Sequence, residues 1–224
     1  MTPQDLLRLH PFFAELSEQD GMALRKRTRT RHVPAGQILF QQGDAGDGLY
    51  GILAGRVAFT VDSVQGNGLI LNVLGPGEFF GEIALLDGKG RTATAVVRDA
   101  CHLLFIARKE FMVFFGKRPE AMSRIIELLC ARLRRSTEYI ADTAFLDLST
   151  RLAKQLVSLV HDDGSPQEPA LRISHAELAA MLGVSRERVS MQLAAWSDRG
   201  ILDQGRGRLV VRDRQALQHV IANG

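Results

Sequence analysis

A chain of 224 residues is long enough for one large or two small domains with real cores, and 46% hydrophobic against 24% charged residues describes a soluble globular protein with no run approaching a membrane span. A net charge of +3 with a pI near 9.1 permits nucleic-acid binding without establishing it. The two cysteines, Cys101 and Cys130, lack C-x-x-C spacing, which argues against a disulfide framework or an iron–sulfur site.

The opening Met1-Thr2-Pro3-Gln4-Asp5 lacks the basic-then-apolar pattern of a secretory signal, so a cytoplasmic location is expected. The six histidines are scattered without helical metal-ligand spacing, and no metal is assigned. No nucleophile–base pair carries a hydrolase signature, so no catalytic residue is assigned and the chain is not expected to be an enzyme.

Residues 4–27 read as a helix capping a set of strands, and the run Arg25-Lys26-Arg27-Thr28-Arg29-Thr30-Arg31-His32 as its solvated end. From 34 to 107 short apolar segments alternate with glycine turns. Strands are predicted at 37–40, 49–53, 57–61, 69–74, 94–97 and 102–107. The breaks fall at Gln41-Gln42-Gly43-Asp44, Ala54-Gly55-Arg56, Gln65-Gly66-Asn67-Gly68 and Gly75-Pro76-Gly77. Such a series suggests a β-roll or barrel.

One segment interrupts that series. Phe80-Gly81-Glu82-Ile83-Ala84-Leu85-Leu86 is followed by Asp87-Gly88-Lys89-Gly90 and then Arg91-Thr92-Ala93-Thr94. A cyclic nucleotide offers a ribose 2′-hydroxyl, which a carboxylate can accept from, and a singly charged phosphate, which a guanidinium fork matches. Backbone amides and a small hydroxyl can cover the remaining phosphate oxygens. The plainer alternative is a glycine-bounded turn with a surface Arg–Glu pair.

After Lys109 the period changes. Met122, Ile126, Leu129, Leu133, Ser136 and Ile140 are spaced 4, 3, 4, 3, 4, a heptad seam on one long helix. It predicts a homodimer through the 122–140 helix, the alternative being a helix buried against its own barrel. Ser136 and Thr137 put two hydroxyls near that seam, where helix carbonyls can satisfy them, the better reading from these residues alone, or a purine edge would suit them.

A second domain is predicted to begin near Leu148, with a helix at 151–160 and a polar loop at 161–169. Ser174-His175-Ala176-Glu177 forms a capping box opening a short helix. Gly183 supplies a turn, Ser185 caps the next helix through Trp196, and Gly200 stops it. Residues 201–211, with Gly205-Arg206-Gly207, read as a β-hairpin wing. This is a winged helix-turn-helix with candidate double-stranded DNA contacts at Ser174, Ser185, Arg186, Glu187, Arg188, Ser190 and Gln192. Arg186 suits guanine and Glu187 a cytosine amino group. Arg188 and Ser190 suit bases or phosphates, Gln192 the backbone, and Trp196 the core.

Together these features resemble the Crp/Fnr superfamily of bacterial transcription regulators, and within it the cyclic-AMP receptor branch. The matching residues are Gly43-Asp44, Gly75-Pro76-Gly77-Glu78-Phe79, the segment from Gly81 to Ala93, Thr143-Ala144-Phe145-Leu146-Asp147-Leu148, and Gly183-Val184-Ser185-Arg186-Glu187. The resemblance implies an α+β chain with a jelly-roll-like cyclic-nucleotide-binding β-roll at 1–109, a dimerisation helix and hinge at 110–147, and a winged helix-turn-helix at 148–224. It implies Glu82 on the ribose and Arg91 on the phosphate, with Gly81, Ile83, Ala84 and Thr92 around them. Ser136 and Thr137 would contact the base, one from the opposite subunit. The effector would be cyclic AMP, with cyclic GMP left open by Thr92, and no covalent cofactor is implied. Nucleotide would reorient the recognition helices for a palindromic operator, and the 161–169 loop would touch RNA polymerase. The missing cluster cysteines argue against an oxygen sensor, and Met191 stands where the branch usually has an arginine. Two other readings stay open: a nucleotide-independent or redox/haem-linked regulator, and a nucleotide-binding module controlling a protein partner.

Overall fold

A computed structural model describes residues 1–10, 13, 17–62, 68–116, 118–161, 170–205 and 207–224. The predicted turn at 65–67, most of the polar loop at 161–169, and Arg206 of the wing lie outside the described residues. Contacts divide the chain into one unit of Met1–Asn67 with Leu71–Leu133, and a second of Gly68–Ile70 with Arg134–Gly224.

The first unit opens with α1 (Pro3–Leu9) and α2 (Glu18–Arg25), two helices where one was expected at 4–27. Thr2 and Ser17 each cap a helix by accepting from the amide three residues on, which fixes two separate starts. The basic run is not a helix end. Arg25 closes α2, and Thr28–Val33 forms β1, paired in antiparallel register with 101–106 of β6 (Thr94–Ala107). The ladder with β6 holds this edge strand although only Val33 is buried, through the backbone groups on its inner side. Its outward arginines discourage edge-to-edge pairing with another chain.

The predicted pairs of short strands merge. Residues 49–53 and 57–61 belong to one strand, β3 (Gly48–Asp62), and 94–97 and 102–107 to β6. Gly55 bends β3 without ending it. Its φ is +85°, and a Cβ there would meet the Ala100 carbonyl at 2.5 Å. The β3–β6 register shifts between Ile52 and Val57, so the glycine marks a bulge. β2 (Ile38–Phe40) joins β6, β4 (Gly68–Leu74) joins β3, and β5 (Phe79–Phe80) pairs with Tyr50 and Gly51. α3 (Glu82–Asp87) follows β5, and α4 (Arg108–Phe115) follows β6. Phe79, Phe111, Phe115, Leu6, Leu24 and Leu104 fill the core between sheet and helices.

α5 (Pro119–Phe145) is the long helix, and the two units divide along it. The second unit continues with α6 (Leu148–His161), β7 (Ala170–Leu171), α7 (His175–Leu182), α8 (Arg186–Asp198), β8 (Leu202–Gly205), β9 (Arg208–Val211) and α9 (Arg214–Asn223). β8 and β9 make the expected wing, and β7 adds a third strand that the sequence did not announce. Leu152, Leu156, Leu178, Leu182, Val189, Leu193, Trp196 and Leu217 form one core, placing Trp196 inside as expected. The architecture is the expected α+β order: sheet unit, long helix, winged helix-turn-helix. Among the described residues no helix is long and apolar enough to cross a membrane.

Candidate functional site

Gly81 turns the chain from β5 into α3 with φ +89°, a conformation that disfavours any side chain. A Cβ there would also lie 2.4 Å from Nη1 of Arg91, so the glycine makes room for the guanidinium. Arg91 is only 3% exposed. Its Nη1 donates to the Gly81 carbonyl at 2.9 Å, and its Nη2 to the Gly48 carbonyl at 3.0 Å and to Asp47 Oδ1 at 2.5 Å. The Phe40 ring lies 4.1 Å from the guanidinium carbon, a cation–π contact. The main chain is tied as well: Arg91 N donates to the Asp44 carbonyl at 2.8 Å, and Gly43 N donates to the Arg91 carbonyl at 2.9 Å. Gly43-Asp44 thus fixes the arginine's backbone.

Glu82 begins α3 and is 1% exposed. Its Oε1 accepts from Arg132 Nη1 at 2.5 Å, while Arg132 Nη2 donates to the Phe79 carbonyl at 2.5 Å. Oε2 of Glu82 and Nε of Arg91 are buried with no hydrogen-bond partner among the described residues. A buried carboxylate oxygen without a donor costs about 1–3 kcal/mol or more. A hydroxyl brought to Oε2 would relieve that cost, and an anion beside the guanidinium would compete with Asp47 for its charge. The residues present therefore fit a ligand carrying both a hydroxyl and a phosphate.

Around this pair, Tyr50 donates from its hydroxyl to Asp47 at 3.1 Å, and burial with the nearby Asp47 charge pushes the phenol up to about 12. His10 sits edge-on to Phe79 at 4.8 Å between ring centroids. Burial, then the charge of Arg132, pulls its imidazole down to about 4. Ala84 is buried against Gly46, where a Cβ would meet it at 2.7 Å, whereas Ile83 and Thr92 are exposed. The structure thus gathers Gly81, Glu82 and Arg91, with Ala84 packed behind them. Ser136 and Thr137 are exposed on α5 and belong to the second unit. Sequence reasoning missed Asp47, Arg132, Gly48, Phe40 and Tyr50. Gly46-Asp47-Gly48, two glycines around a carboxylate next to a strand, was the available signal for the first.

In the second unit Ser174 and Glu177 form the predicted capping box: Ser174 Oγ accepts from Glu177 N at 3.2 Å, and Ser174 N donates to Glu177 Oε2 at 2.9 Å. Gly183, at φ +64°, ends α7, and Ser185 Oγ accepts from Arg188 N at 3.4 Å to start α8. Both serines therefore serve as helix caps. Val189, Leu193 and Trp196 turn inward, which leaves Arg186, Glu187 and Arg188 in solvent at the helix start. Hydrogen bonds to the first-turn backbone and to Ser185, then Arg186 nearby, hold the Glu187 carboxyl below its usual range. Ser190 lies 2.8 Å from His175 Nδ1, joining α8 to α7, and Gln192 is half-buried.

A family model described as the cyclic nucleotide-binding domain matches residues 30–118, and one described as the Crp-like helix-turn-helix domain matches residues 150–220. The cyclic AMP receptor protein of Thermus thermophilus is 32% identical over 210 residues, covering 94% of this chain and 96% of that one. The chain belongs to the Crp/Fnr family of transcription regulators. It is a DNA-binding regulator with a cyclic-nucleotide-binding domain, and like its relatives it is not an enzyme. Another family member, the CRP-like cAMP-activated global transcriptional regulator of Mycobacterium tuberculosis, is 31% identical over 199 residues, covering 87% of this chain and 89% of that one. Among solved structures of the Crp/Fnr fold, the c-di-GMP responsive global regulator CLP of Xanthomonas campestris superimposes with a TM-score of 0.77 at 26% identity, over 87% of this chain and 99% of that one.

Proposed function

We propose that the protein is a homodimeric regulator whose operator binding is gated by a cyclic mononucleotide, cyclic AMP being the favoured effector and cyclic GMP the second candidate. The carrying observation is the buried pair: Glu82 keeps Oε2 and Arg91 keeps Nε without a partner among the described residues. Glu82 takes the ribose hydroxyl and Arg91 the cyclic phosphate, with Gly81, Ile83, Ala84 and Thr92 lining the same turn. Ser136 and Thr137 take the base. Relatives named for cyclic AMP support that effector.

Dimerisation uses the apolar seam of α5, where Ile126, Leu133 and Ile140 are 59%, 69% and 66% exposed in the single chain. A heptad seam of this kind is satisfied by a second copy of the helix. The dimer sets two copies of α8 about one DNA turn apart for a palindromic operator. Ser174, Ser185, Arg186, Glu187, Arg188, Ser190 and Gln192 supply the contacts, with the capping serines acting through helix placement. Gating from mostly inactive to mostly active needs roughly 10⁴-fold differential affinity in total, or about 100-fold at each of two sites. The 161–169 segment is the proposed contact for RNA polymerase, and the protein works in the cytoplasm.

Calorimetric titration with cyclic AMP, cyclic GMP and cyclic di-GMP, separately, tests the reading. One mononucleotide binding tightly at one per chain, and raising operator affinity, is the expected result. Equal operator affinity with and without every nucleotide would instead identify a nucleotide-independent regulator. A single-chain mass in sedimentation equilibrium would remove the dimer.

A further inference from the structure

α8 carries one large apolar side chain that the fold leaves in solvent. Successive residues turn by about 100° around a helix, and the buried Val189, Leu193 and Trp196 mark the inner face of α8. Met191 stands opposite that face, four residues after Glu187 on the same side, and is 72% exposed. Among the described residues beyond 147 it is the one large apolar side chain exposed to this degree. An isolated exposed methionine needs no explanation on an ordinary surface. Here it occupies the middle of the face that meets DNA.

The polar groups of the same turn leave that position to it. Ser190 lies 2.8 Å from His175 Nδ1, and Gln192 is half-buried. Ala194 and Ala195 come next as small exposed residues, so no bulky neighbour screens the thioether on the C-terminal side. Four residues of helix advance about 6 Å, under two base-pair steps of about 3.4 Å, so Glu187 and Met191 face neighbouring base pairs. A thioether offers no useful donor, and only one base-edge group in the major groove is apolar: the 5-methyl of thymine.

We infer that Met191 reads a thymine methyl in each half-site of the operator, next to the pair read by Glu187. This rests on the proposed DNA-binding role of α8. The flexible chain and polarisable sulfur let methionine pack against a methyl without a fixed geometry. The assignment makes Met191 a determinant of specificity, not a surface bystander.

The test uses the full-length protein, saturated with its nucleotide, and an operator obtained by randomised-site selection. Each thymine of a half-site is replaced singly by uracil, which removes only the methyl. One position should weaken binding about four-fold per half-site, and about fifteen-fold when both half-sites are changed, the worth of one buried methyl. Met191→Ala should bind the thymine and uracil duplexes alike while keeping its salt-dependent affinity for unrelated DNA. The uracil scan needs no variant, so it stands whatever the folding of Met191→Ala. Salt-dependent binding that ignores every thymine methyl, or a methyl effect that persists in Met191→Ala, overturns the assignment and leaves DNA binding by α8 intact. Loss of all salt-dependent DNA binding by the wild-type protein overturns both.

Discussion

The nucleotide turn and the start of α8 both present charge, but in opposite states. Arg91 and Glu82 are almost fully buried, and each is gripped by partners drawn from distant parts of the chain. Arg186, Glu187 and Arg188 lie in solvent, on a helix anchored by apolar residues on its other side. The difference arises from what each region meets. A small ligand has few groups, so each contact must be pre-oriented and dry to count. A DNA groove offers many groups over a large area, and side chains that adapt on contact serve it better. At the first region the atoms proposed to bind also hold the fold; at the second the proposed contacts and the apolar anchor are different residues.

The strongest way to break that comparison is Arg91→Ala. The change removes three hydrogen bonds, taking the guanidinium away from the buried Gly48 carbonyl and from the half-buried Gly81 carbonyl, which keeps the Leu85 amide. Cyclic-nucleotide affinity should fall by more than about 1.5 kcal/mol, over ten-fold, because a charge-assisted contact is lost. Stability of the sheet unit should fall by about 2 kcal/mol in urea denaturation, chiefly for the hydrogen bond lost at the buried Gly48 carbonyl. Unchanged affinity would remove Arg91 as the phosphate clamp. Unchanged stability would show that burial there carries no structural load.

Glu187→Ala probes the other side. Base preference at one operator position should relax by about 1–3 kcal/mol in a randomised-site selection. Unfolding free energy should move little, since the side chain is exposed and its hydrogen bonds stay within its own helix start. A large stability loss would make this region resemble the nucleotide turn after all.

The same contrast governs what could be read from the sequence. Helix starts, the glycine turn and the order of elements in the winged helix-turn-helix were legible because they depend on residues three or four apart: Ser174 with Glu177, Ser185 with Arg188, Gly183 alone. The turn at Gly81 and the arginine ten residues on were legible as one continuous segment. Asp47 and Arg132 were not. They reach Arg91 and Glu82 across separations of 44 and 50 residues, which only the folded sheet and α5 bring together. The strand breaks at Gly55 and before His102 were misplaced because a bulge and a turn share one residue signal. The basic run was misread because β1 is held by its main-chain ladder, with almost no apolar pattern to announce it.

A smaller effect comes from His10, again on the buried side. Its imidazole is pulled from 6.5 to about 4, chiefly by burial. Below 6.5 the unfolded chain takes up a proton that the folded state refuses, so stability is full above that value and declines as pH falls toward about 4. The ring retains some solvent contact, so the decline attributable to it should be about 1–2 kcal/mol rather than the full value of the shift. Urea denaturation between pH 7 and 4.5 should show a shallower decline in His10→Gln than in the wild type. Identical slopes would mean that solvent reaches the ring freely.

Ser185 gives the smallest effect and the sharpest division. It stands at the start of α8, where a hydroxyl can cap the helix through its oxygen or donate its proton to a phosphate, and its Oγ accepts from Arg188 N. As a cap, Ser185→Ala should cost about 1 kcal/mol of stability in the DNA-free protein. Ser185→Asp should restore that loss, because a carboxylate caps as well and suits the positive end of the helix. The same aspartate should weaken DNA binding, since it sets a negative charge beside the phosphates. Stability recovered while DNA affinity drops is the result expected if the second region keeps folding and binding apart. If Ser185→Ala instead lowers DNA affinity without touching stability, the hydroxyl is a phosphate contact, and α8 is started by its buried face alone.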